Sequence, residues 1–234
     1  MSSAASSTNP PAVDPYWSSV KLLLRGDSGF SDASPIGRTL TVGGSPYIST
    51  SVKRMGAGSL LFDGSTASLS AGSSSDFNFG TGDFMIEAWV LKLSGTNNFQ
   101  SFFSTGATAW GAGAMSLIAF GAGSGVATYQ QGRIGFGSNI GSLELLTSVV
   151  PNNEWNHVAL RRSSNTFALY LNGTLQQSLT YSGAIDWNAN GNTVVGRNLW
   201  DGAHGFFHGH LDDLRVTVGV AREIIVPTRP YPGA

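Results

Sequence analysis

The segment 154–180, EWNHVALRRSSNTFALYLNGTLQQSLT, constrains the fold most, because it contains both the strands and the turns of one antiparallel unit. Apolar residues recur at every second position in 158–160 and 167–171, which is the period of half-buried strands. Residues 163–165 read as a short polar turn, and Asn172-Gly173 tolerates the two positive φ angles of a type I′ hairpin. The pattern excludes a helix and predicts three consecutive antiparallel strands.

Composition extends this prediction to the whole chain. A chain of 234 residues is long enough to form one large core without stabilising disulfides or metal ions. Its 31 glycines, together with many Ser, Thr and Asn residues, give frequent turn signals, which favour many short strands over helices. We therefore predict an all-β fold in which one β-sandwich accounts for nearly all of the chain.

Charge and terminal composition restrict the partners. Charged residues make up 12% of the chain and the formal net charge is −1, which argues against nucleic acid and anionic membranes. No run of about 18 apolar residues is present, so no membrane insertion is expected. The N-terminus lacks the basic and apolar regions of a signal peptide, so we expect a protein that is soluble as made. Without cysteine there are no disulfides or thiolate metal sites, and the redox compartment cannot be read.

Three parts are predicted along the chain. Residues 1–15 are rich in Ser, Ala and Pro and cannot bury enough surface to fold alone, so we expect an extended arm. Residues 16–226 form the sandwich, and residues 227–234 a proline-rich tail. Strands are predicted at 18–25, 38–42, 47–52, 59–62, 67–70, 84–91, 100–104, 115–120, 126–130, 133–136, 144–148, 193–196 and 207–218. Residues 38–42 and 47–52 are expected to form a hairpin, 84–91 to be central, and 220–223 to add one helical turn.

Four motifs together resemble a known family. They are FDGSTASLS at 62–70, FGTGDFMIEAWV at 79–90, the WNHVALRR meander with its LYLNG turn, and HLDDLRVTVGVAR at 210–222. Over about residues 17–226 the chain resembles laminin G-like domains, in the pentraxin-like branch of the concanavalin A-like lectin/glucanase superfamily. The resemblance implies an antiparallel two-sheet jelly roll with one concave sheet and ligand-binding loops at its rim. DDLRVTVGVAR followed by a proline-rich end is also similar to modules of bacteriophage structural proteins.

Asp212 is the candidate metal ligand. It is in phase with Leu214, Val216 and Val218, so strict alternation places its carboxylate on the apolar face, where it needs a partner. The resemblance implies that an acidic residue here ligates a structural calcium together with backbone carbonyls, and calcium takes such oxygen ligands. The alternative is a carboxylate that accepts hydrogen bonds from backbone groups or arginine. Asp213, Arg215 and Thr217 are expected on a solvated face.

Catalytic carboxylates are not indicated. Glycoside hydrolases of this fold place two carboxylates on one strand, with the spacing E-x-D-x-E or E-x-D-x-x-E. The four glutamates, Glu87, Glu144, Glu154 and Glu223, show neither spacing. We therefore predict a protein that is not an enzyme, with no catalytic residues.

Aromatic residues in Gly- and Asn-rich loops are the candidates for ligand binding. Trp187 and Trp200 could stack on sugar faces, with His204 and Asn198 beside them, although such a tryptophan could equally serve packing or a protein partner. His204, His208 and His210 also invite a transition-metal interpretation, against which we weigh polar and aromatic contacts at the rim.

These observations favour a lectin-like or adhesion module that binds a glycan or cell-surface polysaccharide. The phage resemblance suggests a virion surface component, a head decoration or a tail or fibre protein, whose N-terminal arm contacts other subunits of an oligomeric assembly. Otherwise an extracellular or cell-surface location is expected. The alternatives are a protein-binding scaffold without glycan binding and, disfavoured by the carboxylate spacing, a polysaccharide-active hydrolase.

Overall fold

The protein is described here by a computed structural model that covers residues 13–27, 29–94, 99–106, 115–121, 126–138, 143–185, 191–199 and 205–232. Within these ranges there are fifteen strands and two short 3₁₀ turns, and no helix is long and apolar enough to cross a membrane. The strands are β1 (Val20–Leu24), β2 (Thr41–Gly43), β3 (Tyr47–Ser49), β4 (Ser59–Asp63), β5 (Ser68–Gly72), β6 (Phe84–Lys92), β7 (Phe99–Gly106), β8 (Met115–Phe120), β9 (Arg133–Ser138), β10 (Leu143–Val149), β11 (Trp155–Ser163), β12 (Thr166–Leu171), β13 (Thr174–Thr180), β14 (Asn192–Val195) and β15 (His208–Val218).

The strands form two antiparallel sheets, which confirms the all-β prediction. The eight-stranded sheet has the order β13-β12-β11-β6-β15-β4-β3, with β1 also paired to β15. The seven-stranded sheet has the order β10-β9-β8-β7-β14-β5-β2. The strand β6 lies between β11 and β15, so its predicted central position is confirmed.

The meander folds as its sequence predicts. Strands β11, β12 and β13 pair in succession, and the turn between β12 and β13 has φ values of 49° at Asn172 and 79° at Gly173. Both angles are positive, as a type I′ turn requires. Ser164, in the turn before β12, also has a positive φ of 55°.

The core lies between the two sheets and follows the period of two. From β6 it receives Phe84, Ile86, Ala88 and Val90, which share one face of the strand. Alternate residues of β8, β9, β11 and β12 complete it from both sheets. Because each strand contributes every second side chain, the other face of each sheet must be covered separately or face solvent.

Three local predictions were wrong. Strands β2 and β3 do not form a hairpin, because β2 pairs with β5 in one sheet and β3 pairs with β4 in the other. Residues 126–130 form a turn rather than a strand, and residues 220–223 do not form a helical turn. The hairpin was wrong because turn residues do not specify which strand pairs with which, and that choice is made by the tertiary structure.

The outer face of the eight-stranded sheet is not solvated along β15, contrary to prediction. Asp213, Arg215 and Thr217 are all buried, because the segments at both ends of the described chain pack over them. Asp14 binds Arg215 from the N-terminal side, and the backbone N–H of Tyr231 donates to Asp213 from the C-terminal side.

These contacts also place the ends of the sandwich differently from the predicted boundaries at 15 and 227. Asp14 is 4% exposed and forms an ion pair with Arg222 at 2.8 Å. Tyr231 is 2% exposed. Both residues therefore pack as parts of the sandwich, whereas the rest of the predicted arm, residues 1–12, and the last two residues of the tail lie outside the described ranges.

Gly196, directly after β14, provides a test of the packing. Its φ is +88°, and a Cβ added there would lie 2.2 Å from Cδ1 of Phe62, a core ring that is fully buried. Gly72 has a similar φ of +73° but open space around it, so it is the matched control. We expect Gly72→Ala to destabilise by about 1 kcal/mol through backbone strain, and Gly196→Ala by about 1 to 3 kcal/mol more through overpacking. Urea unfolding of both variants measures this, and equal losses would contradict the packing described.

Candidate functional site

The predicted ligand residues divide into described and undescribed positions. Trp187, Trp200 and His204 lie outside the described residues. Asn198 is described and is only 2% exposed; its backbone N–H donates to the carbonyl of Gly205 at 3.1 Å. Asn198 therefore lies at the base of the segment that contains Trp200 and His204, rather than on a ligand-facing surface.

The two tryptophan-containing segments begin at opposite ends of the sandwich. Ile185, just before Trp187, exchanges both backbone hydrogen bonds with Gly80, four residues before β6 begins. The segment that contains Trp200 returns at Gly205, whose carbonyl accepts from Ser101 near the beginning of β7. The beginning of β7 follows the end of β6 in the chain. The two ends of β6 are about 30 Å apart, because a strand rises about 3.3 Å per residue.

Asp212 is buried as predicted, but not on the apolar face. The register of β15 against β6 shifts between Asp212 and Arg215, and Asp213 has a positive φ of 48°. This extra residue is a β-bulge, and it allows both Leu211 and Leu214 to enter the core. Asp212 lies opposite Trp89 on the outer face, so the alternation argument was wrong.

The carboxylate of Asp212 is only half satisfied by protein groups. Its Oδ2 accepts hydrogen bonds from the backbone N–H groups of Arg54 and Met55, each at 2.8 Å, and its Oδ1 is buried with no hydrogen-bond partner. Burial raises the pKa of Asp212 to about 7, and the nearby charge of Asp27 adds to this. Asp213 shows the same pattern, since Tyr231 N–H binds its Oδ2, its Oδ1 has no partner and burial raises its pKa to about 7.

These two orphaned oxygens fit the ligand chemistry of calcium, which takes carboxylate and backbone carbonyl oxygens in a flexible geometry. In the described part of the chain, no cluster of three or more His, Asp or Glu side chains could hold a metal by itself. A calcium ion here would therefore need carbonyl or water ligands in addition to Asp212.

The histidines of β15 are used separately. Nδ1 of His208 lies 2.7 Å from the carbonyl of Ser94, and Nδ1 of His210 lies 3.0 Å from Oγ of Ser59. Each ring thus has its own protein partner, and His204, the third member of the predicted cluster, is not described. The described histidines give no support to the transition-metal interpretation.

Glu87 forms a buried polar cluster that the sequence analysis missed. Arg215 donates to its Oε1 from Nη2 at 2.6 Å and from Nε at 2.9 Å, and the hydroxyl of Tyr231 donates to its Oε2 at 2.8 Å. Burial alone would raise the pKa of Glu87, but the charge of Arg215 and contacts with His157 outweigh it and hold the pKa at about 2. Such a carboxylate stays ionised and cannot act as a general acid near neutral pH.

Glu144 is exposed on the edge strand β10 and contacts neutral side chains. It accepts hydrogen bonds from Gln130 Nε2 at 2.6 Å and from the hydroxyl of Tyr129 at 3.2 Å. Among the described residues, Glu87 is bound by Arg215 and Tyr231, and Glu144 by Gln130 and Tyr129. Neither arrangement is the pair of a proton-donating acid and a free carboxylate that glycoside hydrolysis uses.

A small pocket of about 130 Å³ lies at the end of the sandwich where β6 ends. Its lining includes Lys92, Gln100, Phe120 and Asn152, so one basic, two amide and one aromatic residue adjoin the same cavity. Lys92 is 7% exposed, and its Nζ donates to the carbonyl of Gly132 at 3.0 Å. Only a lysine at the end of an apolar strand signals this pocket in the sequence, because its lining comes from five separate parts of the chain.

Similarity to solved structures supports the described fold. Domain 4 of AbnA, an extracellular arabinanase from Geobacillus stearothermophilus solved with arabinotriose, is 18% identical, with a TM-score of 0.61 over 87% of this chain and 94% of that one. The binding domain of Paraclostridial Mosquitocidal Protein 1 is 16% identical, with a TM-score of 0.63 over 89% of this chain and 50% of that one. A botulinum neurotoxin type C structure, whose cell entry depends on two ganglioside molecules, is 12% identical, with a TM-score of 0.63 over 88% and 49%.

This chain thus spans about half the length of the two toxin structures. No curated protein sequence was found to match it. The sequence profile of one family does match, over residues 63–220, which is more than half of the chain and includes all of the strands from β6 to β15. The chain belongs to the concanavalin A-like lectin/glucanases superfamily.

Proposed function

We propose that the protein is a non-catalytic, lectin-like module that binds carbohydrate. The observation that carries this proposal is the pocket at Lys92. Sugar sites combine an aromatic surface for the ring with a few polar groups that fix the hydroxyls, and Phe120, Gln100 and Asn152 provide both around one recess.

Two of the similar structures support the proposal. One was solved with arabinotriose, and the other belongs to a toxin that depends on gangliosides for entry. At these identities the similarity is one of fold, and one fold carries different ligands in different proteins.

The carboxylates favour binding over hydrolysis. Glu87 forms a buried ion pair with Arg215, and both carboxylate oxygens of Asp14 accept hydrogen bonds from Arg222. A retaining glycosidase needs two carboxyl groups about 5 Å apart that can exchange a proton, and these residues cannot supply them. A protein-binding scaffold remains the alternative function, and it predicts no glycan binding at all.

The direct test is a glycan array followed by calorimetric titration of each hit. We expect micromolar to millimolar binding that Phe120→Ala weakens by about tenfold, since one aromatic contact contributes about 1 kcal/mol. Replacing Trp187 and Trp200 by alanine, together, tests the loop residues separately. We expect no release of reducing ends from any bound polysaccharide. Binding to no glycan would favour the scaffold, and reducing-end release above a blank would show an enzyme.

We also propose that one calcium ion binds at Asp212. The support is the buried Oδ1, which has no hydrogen-bond partner, next to the similarly unpaired Oδ1 of Asp213. When calcium is bound, its charge stabilises the ionised carboxylates that burial otherwise disfavours. The segment that contains Arg54 and Met55 would be held in place by the same carboxylate.

The pH dependence of stability tests the calcium proposal. In EDTA, the raised pKa of Asp212 means that the folded state keeps a proton that the unfolded state loses, so this group's contribution to stability falls as pH rises from 5 to 7.5. Bound calcium should prevent this loss of stability at higher pH, because it stabilises the ionised carboxylate. His210, whose pKa burial lowers, acts with the opposite sign, so the readout is the difference between the wild type and Asp212→Asn.

We expect calcium at pH 7.5 to stabilise the wild type by on the order of 1 kcal/mol or more. In Asp212→Asn, calcium should change the stability little, and stability in EDTA should fall less between pH 5 and 7.5 than in the wild type. Thermal unfolding with EDTA or calcium at both pH values measures this. An identical calcium response in the two proteins would exclude Asp212 as a ligand.

We propose finally that the module is displayed on a virion surface, with residues 1–12 in contact with other subunits. The support is the similarity of DDLRVTVGVAR and the proline-rich end to phage structural proteins, together with the polar and small residues of the arm. Because Asp14 and Tyr16 are already bound to the sandwich, a docking arm would begin before residue 13.

Two truncations separate docking from folding. Removal of residues 2–12 should leave the melting temperature unchanged and abolish incorporation into particles. Removal of residues 2–15 should also destabilise the domain, by on the order of 3 kcal/mol, because Arg222 loses the carboxylate of Asp14 in a buried site. Purified particles assayed for the tagged proteins provide the measurement. Equal incorporation of the shorter truncation and the full chain would contradict the docking role.

A further inference from the structure

Lys92 is a buried cation that has no counter-ion among the described residues. Its side chain is 7% exposed, and it makes no ion pair with any carboxylate of the described chain. A lysine ammonium has three N–H donors, and the single bond from Nζ to the carbonyl of Gly132 uses one of them. Burial lowers the pKa of Lys92, and no neighbouring charge acts against this shift.

Three other buried cations of the described chain, Arg162, Arg215 and Arg222, have several partners each. Arg215 binds Glu87 and Asp14, and Arg222 binds Asp14. Arg162, also fully buried, donates to the carbonyls of Ser164, Gly80, Tyr181 and Gly183. Lys92 differs from these arginines because its charged group has one hydrogen-bond acceptor and lies beside a cavity.

The cavity has the size and lining of a site for one compact group. Its volume is about 130 Å³, it is partly open to solvent, and Gln100, Asn152 and Phe120 line it together with Lys92. Gln100 is held in place because its Oε1 accepts a hydrogen bond from the backbone N–H of His208 at 3.1 Å. Phe120 is held by an edge contact with Phe99, whose ring centroid lies 6.1 Å away.

We propose that this pocket binds an acidic sugar, with the anionic oxygen group of the sugar on Nζ of Lys92 and the ring against Phe120. The inference rests on the proposed carbohydrate-binding function and specifies its ligand class. An anionic group supplies the missing counter-charge, because a buried ammonium and an anion in a low-dielectric recess attract each other strongly. The anionic group can be the carboxylate of a uronic acid or a sulfate ester, and the two are separated by experiment.

The experiment compares acidic oligosaccharides with their neutral parents. Trigalacturonate and a sulfated galactotriose are titrated into the protein beside unmodified galactotriose, by calorimetry and by amide NMR, which reports whether Gly121 and Gly132 shift. Lys92→Met removes the charge and keeps the length of the side chain. Lys53→Met, at an exposed lysine outside the pocket lining, is the control for net charge.

We expect an acidic probe to bind and to shift the pocket amides, with Lys92→Met weakening it about ten- to a hundredfold and Lys53→Met changing it less than twofold. The stronger acidic probe identifies the group as carboxylate or sulfate. Lys92→Met should retain or raise the melting temperature, because it removes an uncompensated buried charge. A purely structural role for the bond to Gly132 predicts the reverse, a lower melting temperature with unchanged binding.

The possible failures are distinguishable. If neutral and acidic sugars bind equally, or if Lys92→Met leaves acidic binding unchanged, the acidic-sugar inference is wrong while the carbohydrate-binding function stands. If no probe binds here and the glycan array is also blank, both are wrong.

Discussion

The register shift in β15 between Asp212 and Arg215 is the constraint on which much of the structure depends. A strand of strict alternation could place only one of Leu211 and Leu214 in the core, but the bulge at Asp213 places both there. The same extra residue sets Asp212 opposite Trp89 and Arg215 opposite Glu87. Core packing in the middle of the sandwich therefore determines which polar groups meet on its outer face.

The ion pair between Glu87 and Arg215 makes the chain ends part of the domain. Two charges on the central strands of a sheet are expensive to remove from water unless every donor and acceptor is satisfied. Asp14 supplies a second acceptor for Arg215, and Tyr231 binds the remaining oxygen of Glu87 while its ring lies 3.5 Å from the guanidinium carbon. The contact of Asp14 with Arg215 joins residues 201 positions apart, and that of Tyr231 with Glu87 joins residues 144 positions apart. Detachment of either end would therefore leave buried polar groups of the central strands with fewer partners.

Much of the fold could be predicted from sequence because its signals are local. The period of two located the meander and the core face of β6, and Asn172-Gly173 identified its turn. The hairpin assigned to β2 and β3 was wrong because turn residues do not specify which sheet a strand enters. The face assigned to Asp212 was wrong because a bulge at an ordinary Asp leaves no signature, and the solvated face of β15 was wrong because its cover comes from both ends of the chain.

The pocket at Lys92 was missed because its lining comes from separate parts of the chain. Its chemistry differs from that of the other buried polar groups. Where the fold needs a buried cation for its own stability, as at Arg162 and Arg215, it surrounds the guanidinium with several acceptors or with carboxylates. A lysine is a more mobile point charge that exchanges partners easily. Leaving such a group with one carbonyl bond beside a cavity lowers stability slightly and keeps two N–H donors available. That combination is expected of a binding residue whose remaining partner is supplied by the ligand, and not of one selected for packing alone.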